Sequence, residues 1–545
     1  MIISTNKVSL CMEHLKEISP RQYQQDIFET AKNFNTLIVL PTGMGKTLIA
    51  LMLSAHRLEK FPDKKIVFLA PTRPLAEQHL NYFKKHLSDL FGDIQLFTGK
   101  VTAKDRKKIF QTADIIFSTP QCIGNDVKNG LYDLEDVSLL IEDESHRCLK
   151  NYAYNYVAKK YHNQTFSSPW HRIIGMTASP GSDKQKVSEI CKNLHIEKVE
   201  IRSREDEDVK KYLQKLEFEK IEVDFPPRFE EIRILLKEMY NKYIDELKHR
   251  SLLFKPPTKI NLIELQNRLF LMTSKGNNNF NVLLGISACA SAIKIQHAME
   301  LLETQTLTSF DSYLKKLFKE ASQGKSKGVQ KLVAKPEFNV VYTMTSELMI
   351  KKIEHPKVER IRQIVSQEFS RFKDKKPKII IFTQYRETAT ILSKDLNITL
   401  KHLGVKSKVF VGQSKKMIGG ETIGLSQVEQ KGIITDFSEG TTNIIVSTSI
   451  GEEGLDIPEV NSVIFYEPVP SAIRKIQRAG RTARLMKGKL IILVTKKTRD
   501  ESYYWSAFHK EKKMYSAIQS ITEDIESGKI NFSDENKFEK QKTLI

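Results

Sequence analysis

Leu40 Pro41 Thr42 Gly43 Met44 Gly45 Lys46 Thr47 follows a short apolar run over residues 36–40 and precedes an apolar-periodic helical pattern over residues 48–58. Strand, glycine loop and helix, in that order, let backbone N–H groups close around phosphate oxygens. The helix that starts there points its positive end at them. Pro41, Thr42, Gly43, Met44 and Gly45 would form the cradle. Lys46 would reach the terminal phosphates, and the Thr47 hydroxyl would ligate Mg²⁺. The strict form of this loop opens on Gly, where this chain has Leu40. The stretch predicts a nucleotide site at the carboxyl end of a strand in a parallel α/β sheet.

The chain has 545 residues, enough for two to four domains, each with its own core. It carries 86 Lys+Arg against 66 Asp+Glu, a formal net charge of +20. That surplus favours a polyanionic partner, nucleic acid before membrane; a solubilising surface is the alternative. Cys11, Cys122, Cys148, Cys191 and Cys289 are scattered with no Cys-x-x-Cys. A disulfide framework and a structural zinc site are therefore not expected, and a reducing, cytoplasmic setting is. No signal peptide and no apolar run long enough to span a bilayer are expected.

About 20 residues before the loop stands Pro20 Arg21 Gln22 Tyr23 Gln24. The Gln24 amide offers an acceptor and two donors, which suits an adenine edge. After the loop, residues 65–69 read as a buried strand ending in Ala70 Pro71 Thr72 Arg73 Pro74. Loops at carboxyl ends of parallel strands are where such sheets bind ligands. Thr72 and Arg73 could there hold a nucleic-acid phosphate, as could Thr98 and Gly99, and Thr119 and Gln121, at two further strand ends. Ordinary loop chemistry is the alternative for each. Residues 137–141 form another apolar strand, running into Glu142 Asp143 Glu144 Ser145 His146. Acidic groups at the end of a buried strand are costly unless a cation or a reaction needs them. Asp143 is placed to hold Mg²⁺ through water, and Glu144 to deprotonate the attacking water. His146 would link the nucleotide site to nucleic acid. Thr177 and Ser179, after the strand at residues 173–176, would hydrogen-bond the acidic loop. Five strand–loop–helix units make one doubly wound α/β domain.

Residues 225–345 differ. Phe229, Ile232, Leu235, Leu236, Met239, Tyr243 and Leu247 recur at helical spacing, and three further stretches do likewise. This predicts an inserted module of three or four helices. Its end carries Lys315, Lys316, Lys319, Lys325, Lys327, Lys331 and Lys335 with only Glu320 opposing. A solvated face and a nucleic-acid contact are both open for that run. Strands are then expected at 378–384, 409–413, 443–448, 462–466 and 490–494. A helix after the fourth carries Gln477 Arg478 Ala479 Gly480 Arg481 Thr482 Ala483 Arg484. Arg481 and Arg484, on one helical face, repel unless they meet an anion, and a triphosphate held by the first domain would supply it. Beyond 520 the chain turns polar and charged.

Taken in order, Gln24, Gly43–Thr47, Ala70–Pro74, Asp143–His146, Thr177–Ser179, Phe382–Gln384, Gly454–Asp456 and Gln477–Arg484 resemble the motifs of helicase superfamily 2. The Asp-Glu-Ser-His box, the helical insert and Arg499–Trp505 resemble the archaeal Hef proteins, relatives of the Fanconi anaemia group M translocase. Ala483 stands where the family usually has Gly. The resemblance implies two RecA-like domains with a helical, thumb-like insert: residues 1–204, then 205–224 with 346–520, the insert at 225–345 and a polar tail at 521–545. It implies an ATP-dependent DNA helicase or translocase for forked or branched DNA, using ATP and Mg²⁺. On that resemblance Arg21, Gly454 and Asp456 join the nucleotide site, Gln477 joins Arg481 and Arg484 in catalysis, Gln384 and Thr448 touch nucleic acid, and His146, Thr177 and Ser179 couple the two sites. Hef proteins usually continue into an XPF-type nuclease; no Glu-Arg-Lys-x-x-x-Asp signature is found in this chain, so the helicase half alone is expected. An RNA or RNA–DNA helicase, and a clamp that binds without turnover, are the alternatives. The terminal Gln541 Lys542 Thr543 Leu544 Ile545 resembles a sliding-clamp peptide but lacks its aromatic pair.

Overall fold

In the computed structural model the described residues are 15–16, 18–88, 92–212, 216–276, 279–324, 326–372, 377–414, 416–418, 421–451, 457–471, 488–530 and 532. The first part runs α1 (Gln22–Asn33), β1 (Thr36–Val39), α2 (Lys46–Lys60), β2 (Lys65–Leu69), α3 (Arg73–His86), β3 (Ile94–Phe97), α4 (Ala103–Thr112), β4 (Ile115–Ser118), α5 (Pro120–Lys128), β5 (Val137–Asp143), α6 (Ala153–Thr165), β6 (Ile173–Thr177), α7 (Lys184–Asn193) and β7 (Lys198–Ile201). Strand and helix alternate because parallel neighbours need a crossover, and a helix is the compact way to make one. Isoleucine, leucine, valine and phenylalanine dominate β1, β2, β4 and β5, which are buried along almost their whole length. That composition suits strands covered by helices on both faces. The seven strands pair in the order β3-β4-β2-β5-β6-β1-β7, all parallel. Five strand units were expected; β7 in particular, short and half polar, gives little apolar signal.

After α8 (Glu207–Lys210), β8 (Leu216–Val223) leaves the first sheet and becomes the edge of a second. A helical bundle follows: α9 (Pro227–His249), α10 (Lys259–Ser274), α11 (Phe280–Thr304), α12 (Leu307–Ser322), α13 (Lys327–Val333) and α14 (Pro336–Ile350). Among the described residues six helices replace the three or four expected, because short α13 and mixed α14 lack a clean apolar stripe. The described residues correct a second expectation. α11 is 25 residues long, and an 18-residue stretch of it has a mean hydropathy of 1.4, enough by length and composition to cross a membrane. Here it is the bundle's central helix, with Ala288, Cys289, Ala292, Ile295 and Ala298 in the core.

The chain then returns to the second sheet through α15 (Pro356–Arg371), β9 (Ile379–Phe382), α16 (Arg386–Thr399), β10 (Ser407–Phe410), a hairpin of β11 (Lys416–Ile418) and β12 (Glu421–Ile423), α17 (Gln427–Glu439), β13 (Ile444–Ser447), β14 (Ser462–Phe465) and β15 (Gly488–Thr495). The order is β10-β13-β9-β14-β15-β8, again all parallel. The last described helix, α18 (Arg499–Glu526), corrects the expected start of the polar tail at 521. Its Met514, Ile518 and Ile521 are buried in a core cluster of the first sheet's helices and strands, so the helix bridges from β15 back to the first domain.

Candidate active site

Gly43 and Gly45 adopt φ of +87° and +82°, the left-handed region that glycine enters without steric cost. A Cβ on Gly45 would stand 2.2 Å from Gln24 Nε2, so the loop closes tightly on α1. Gln24 Nε2 donates to the Met44 carbonyl (3.1 Å), as does the Tyr23 hydroxyl (2.9 Å), while Gln24 Oε1 accepts from the Arg21 N–H (2.9 Å). Gln24, expected at an adenine edge, is thus also the side chain that fixes the loop to α1. Tyr23 does the same and was not foreseen, since a lone tyrosine has no spacing signature. The Arg21 guanidinium lies 5.2 Å from the Tyr212 ring centre, a cation–π distance. Lys46 Nζ donates to the Leu40 carbonyl at 2.7 Å.

Next to this loop, β5 delivers its acidic end. Asp143 Oδ2 lies 2.8 Å from His79 Nε2, and His79 Nδ1 lies 3.4 Å from Thr47 Oγ1. Burial pushes the Asp143 carboxyl up, but the His79 hydrogen bond, the Lys46 charge and the Glu144 N–H outweigh it and hold it below its usual range. The Tyr154 hydroxyl donates to the Asp143 carbonyl (2.6 Å), fixing the strand end from beneath. Glu142 sits fully buried; burial pushes it up to about 8, so it is mostly neutral at pH 7.

Glu144 adopts φ +52°, ψ +43°, a left-handed conformation rare for a non-glycine residue and often found at functional turns. His146 Nδ1 lies 3.2 Å from Glu144 Oε2 and 3.2 Å from Thr177 Oγ1. The Ser179 N–H donates to Thr177 Oγ1 (3.1 Å), and Ser179 Oγ lies 2.8 Å from Met514 Sδ on α18. Glu144, His146, Thr177 and Ser179, read separately from the sequence, form one connected run.

The remaining candidates divide by sheet order. Thr72 and Arg73 follow β2, Thr98 and Gly99 follow β3, and Thr119 and Gln121 follow β4; these strands are adjacent. The nucleotide candidates follow β5, β6 and β1, also adjacent. Arg73 Nε is buried without a hydrogen-bond partner. Thr98 and Thr448 are buried, at 7% exposure each, and less accessible than expected; Thr98 Oγ1 accepts from the Lys100 N–H (3.3 Å). Gln384 is exposed beyond β9, where its N–H donates to Glu467. Gly454, Asp456, Gln477, Arg481, Arg484 and Lys325 lie outside the described residues. A cavity of about 580 Å³ opens beside Thr47 and His79, between α3 and α17, and Lys431 of α17 reaches Glu77 at 3.3 Å across it.

Among the described residues no group of three or more His, Cys, Asp or Glu forms a metal cage. Mg²⁺ needs none: it takes one or two protein oxygens, waters and phosphate oxygens. The Thr47 hydroxyl and Asp143 carboxylate, joined through one imidazole, fit that donor set, and the Gly43–Gly45 turn fits a phosphate group.

Three family models match the chain: DEAD/DEAH box helicase over residues 21–187, helicase conserved C-terminal domain over 356–486, and putative ATP-dependent RNA helicase, helical bundle, over 228–351. A putative ATP-dependent RNA helicase of Methanocaldococcus jannaschii is 40% identical over 93% of the chain and 61% of its own length. The ATP-dependent DNA helicase fml1 of Schizosaccharomyces pombe is 30% identical over 94% of the chain and 60% of its own length. The mouse Fanconi anemia group M protein homolog is 30% identical over 91% of the chain, which spans 26% of that protein. The crystal structure of the Pyrococcus furiosus Hef helicase domain superposes with a TM-score of 0.67 at 40% identity, covering 90% of this chain and 98% of that one.

Proposed function

Because the chain belongs to the superfamily 2 helicases of the Hef and Fanconi anaemia group M kind, we propose that it is an ATP-driven DNA helicase or translocase acting on forked or branched DNA in the cytoplasm. The observation that supports this most is the meeting of the phosphate loop, the acidic end of β5 and Thr177 at neighbouring strand ends, with the first domain's nucleic-acid candidates on the adjoining strands of the same sheet. In this reading the Gly43–Gly45 backbone and Lys46 hold the phosphates, while Arg21 and Gln24 face the base. Thr47 and Asp143 hold Mg²⁺, which neutralises charge on the phosphate oxygens when bound. Glu144 takes the proton of the attacking water. Arg481 and Arg484, with Gln477, Gly454 and Asp456, approach from the second domain and stabilise the charge that develops on the transferred phosphoryl. Thr72, Arg73, Thr98, Gly99, Thr119, Gln121, Gln384 and Thr448 follow one strand. The Glu144–His146–Thr177–Ser179 run joins the two halves.

A second reading, an RNA helicase, rests on the helical-bundle family and the M. jannaschii relative, both described as RNA helicases. The test is the ATP hydrolysis rate with single-stranded DNA, forked DNA or RNA as stimulus. Strongest stimulation by forked DNA is expected. Strongest stimulation by RNA would favour the second reading, and no hydrolysis with any of the three would leave a binding clamp.

A further inference from the structure

His79 is absent from every motif the chain displays, yet it touches both side chains assigned to Mg²⁺. It sits two turns into α3, with its side chain 8% exposed and that of Asp143 7%. Its ring packs on Phe68 of β2, centroids 4.6 Å apart, which leaves the imidazole little freedom to turn. Nε2 is 2.8 Å from Asp143 Oδ2 and Nδ1 is 3.4 Å from Thr47 Oγ1. A carboxylate only accepts, so Nε2 carries the proton. In the neutral ring Nδ1 is then an acceptor, and the Thr47 hydroxyl is the donor that faces it.

We propose that His79 is a positioning residue for Mg²⁺, setting the orientation of both of its protein ligands at once; this rests on the nucleotide site proposed above. With its hydrogen turned to Nδ1, the Thr47 oxygen presents lone pairs to the cation. With Oδ2 held by Nε2–H, Asp143 is fixed in rotation and keeps Oδ1 for the cation's water. One imidazole between two ligands that are 96 positions apart in the chain thereby joins the phosphate loop to the acidic strand end. Partners that orient metal ligands in this way are worth about 10–100-fold in metal affinity.

The experiment titrates Mg²⁺ against binding of a fluorescent ADP analogue to the full chain, for wild type, His79→Phe and His79→Gln. Phe keeps the packing against Phe68 and removes both polar contacts; Gln restores a donor close to the position of Nε2. The half-saturating Mg²⁺ concentration should rise about 10–100-fold in His79→Phe. Nucleotide affinity in chelator, without Mg²⁺, should stay at the wild-type value, and His79→Gln should recover most of the loss. Wild-type Mg²⁺ dependence in His79→Phe would overturn the inference. Equal loss with and without Mg²⁺, or no recovery in His79→Gln, would overturn it too, since the defect would then not be one of ligand orientation. If wild type itself bound the nucleotide without any Mg²⁺ dependence, the nucleotide-site reading would fall, and this inference with it.

Discussion

At single residues, the site separates three adjacent carboxylates by their surroundings. Glu142 faces the core and is largely neutral, Asp143 is held charged by His79, and Glu144 leaves the strand end on a left-handed backbone. Only the last has its carboxylate beside His146, 3.2 Å from Nδ1. Glu144→Gln should therefore bind nucleotide as the wild type does and hydrolyse it roughly 10²–10⁴-fold more slowly. Nucleotide binding by fluorescence, beside steady-state hydrolysis, checks this; unchanged turnover would remove Glu144 from the mechanism.

Among the elements, the helical bundle is bound to the second sheet by buried polar contacts. Gln305 Oε1 accepts from Thr388 (2.8 Å), and the Tyr385 hydroxyl donates to Glu300 (3.1 Å). Lys357 and Asp500, both fully buried, form an ion pair that joins the starts of α15 and α18, and Lys357 also donates to the Thr304 carbonyl (3.1 Å) at the end of α11. Burial pushes the Asp500 carboxyl up even beside Lys357, so losing the lysine leaves a group poorly suited to its site. Lys357→Met should cost about 3–5 kcal/mol in the unfolding of the second domain, the scale for one partner of a buried pair. Adding Asp500→Leu should return much of that, and a denaturant series on the two variants measures it. α18 continues from this anchor to Ser179, while Lys184 of α7 holds its far end through Asp524 (2.7 Å).

Across the entire chain, two kinds of charge matter. In the first domain His162, His171 and His195 cluster beneath the sheet, with the His162 and His195 rings stacked 3.5 Å apart. Burial, then the neighbouring His195, lowers His162 to about 4; burial, then His162 and Arg172, lowers His171 to about 3. Both values lie below the ordinary 6.5, so below that pH the unfolded chain binds protons that the folded chain refuses. Stability is full above about pH 6.5 and falls as pH drops, by about 1.4 kcal/mol per unit for each histidine until its folded value is reached. His171→Gln should flatten the acid limb between pH 6 and 4, which thermal melts across that range will show. The other charge is the lysine run. The expectation that only Glu320 opposes it needs correcting: Asp311 pairs with Lys315 at 2.6 Å, and Lys335 covers the Tyr243 ring at 4.3 Å. Lys319, Lys327 and Lys331 are exposed. Lys327→Gln with Lys331→Gln should weaken forked-DNA binding and lower its log–log salt slope by about 0.7–0.9 per lost phosphate contact, leaving single-strand-stimulated hydrolysis nearly unchanged. Binding to both DNAs at several salt concentrations distinguishes this from a general electrostatic patch, which would lose on both equally.

Local chemistry made much of this legible before any fold was in view. A phosphate loop works through consecutive backbone groups and two adjacent side chains, so Gly43–Thr47 reads directly from order. Apolar strands ending in Asp143, Thr177 or Thr72 likewise announce ligand-facing loops, because a buried parallel strand must be apolar until it emerges. What order could not reveal are the contacts made across strands and helices. His79 lies 32 positions from Thr47 and 64 from Asp143, and nothing local distinguishes it from any histidine on a helix. Tyr154 under Asp143, the Lys357–Asp500 pair and the return of α18 to the first core share that character. The six-helix count and the burial of α11 depend on which apolar faces meet. Sheet order placed the first domain's nucleotide and nucleic-acid candidates at adjoining halves of one sheet, since strand neighbours are set by packing the crossovers and not by succession along the chain.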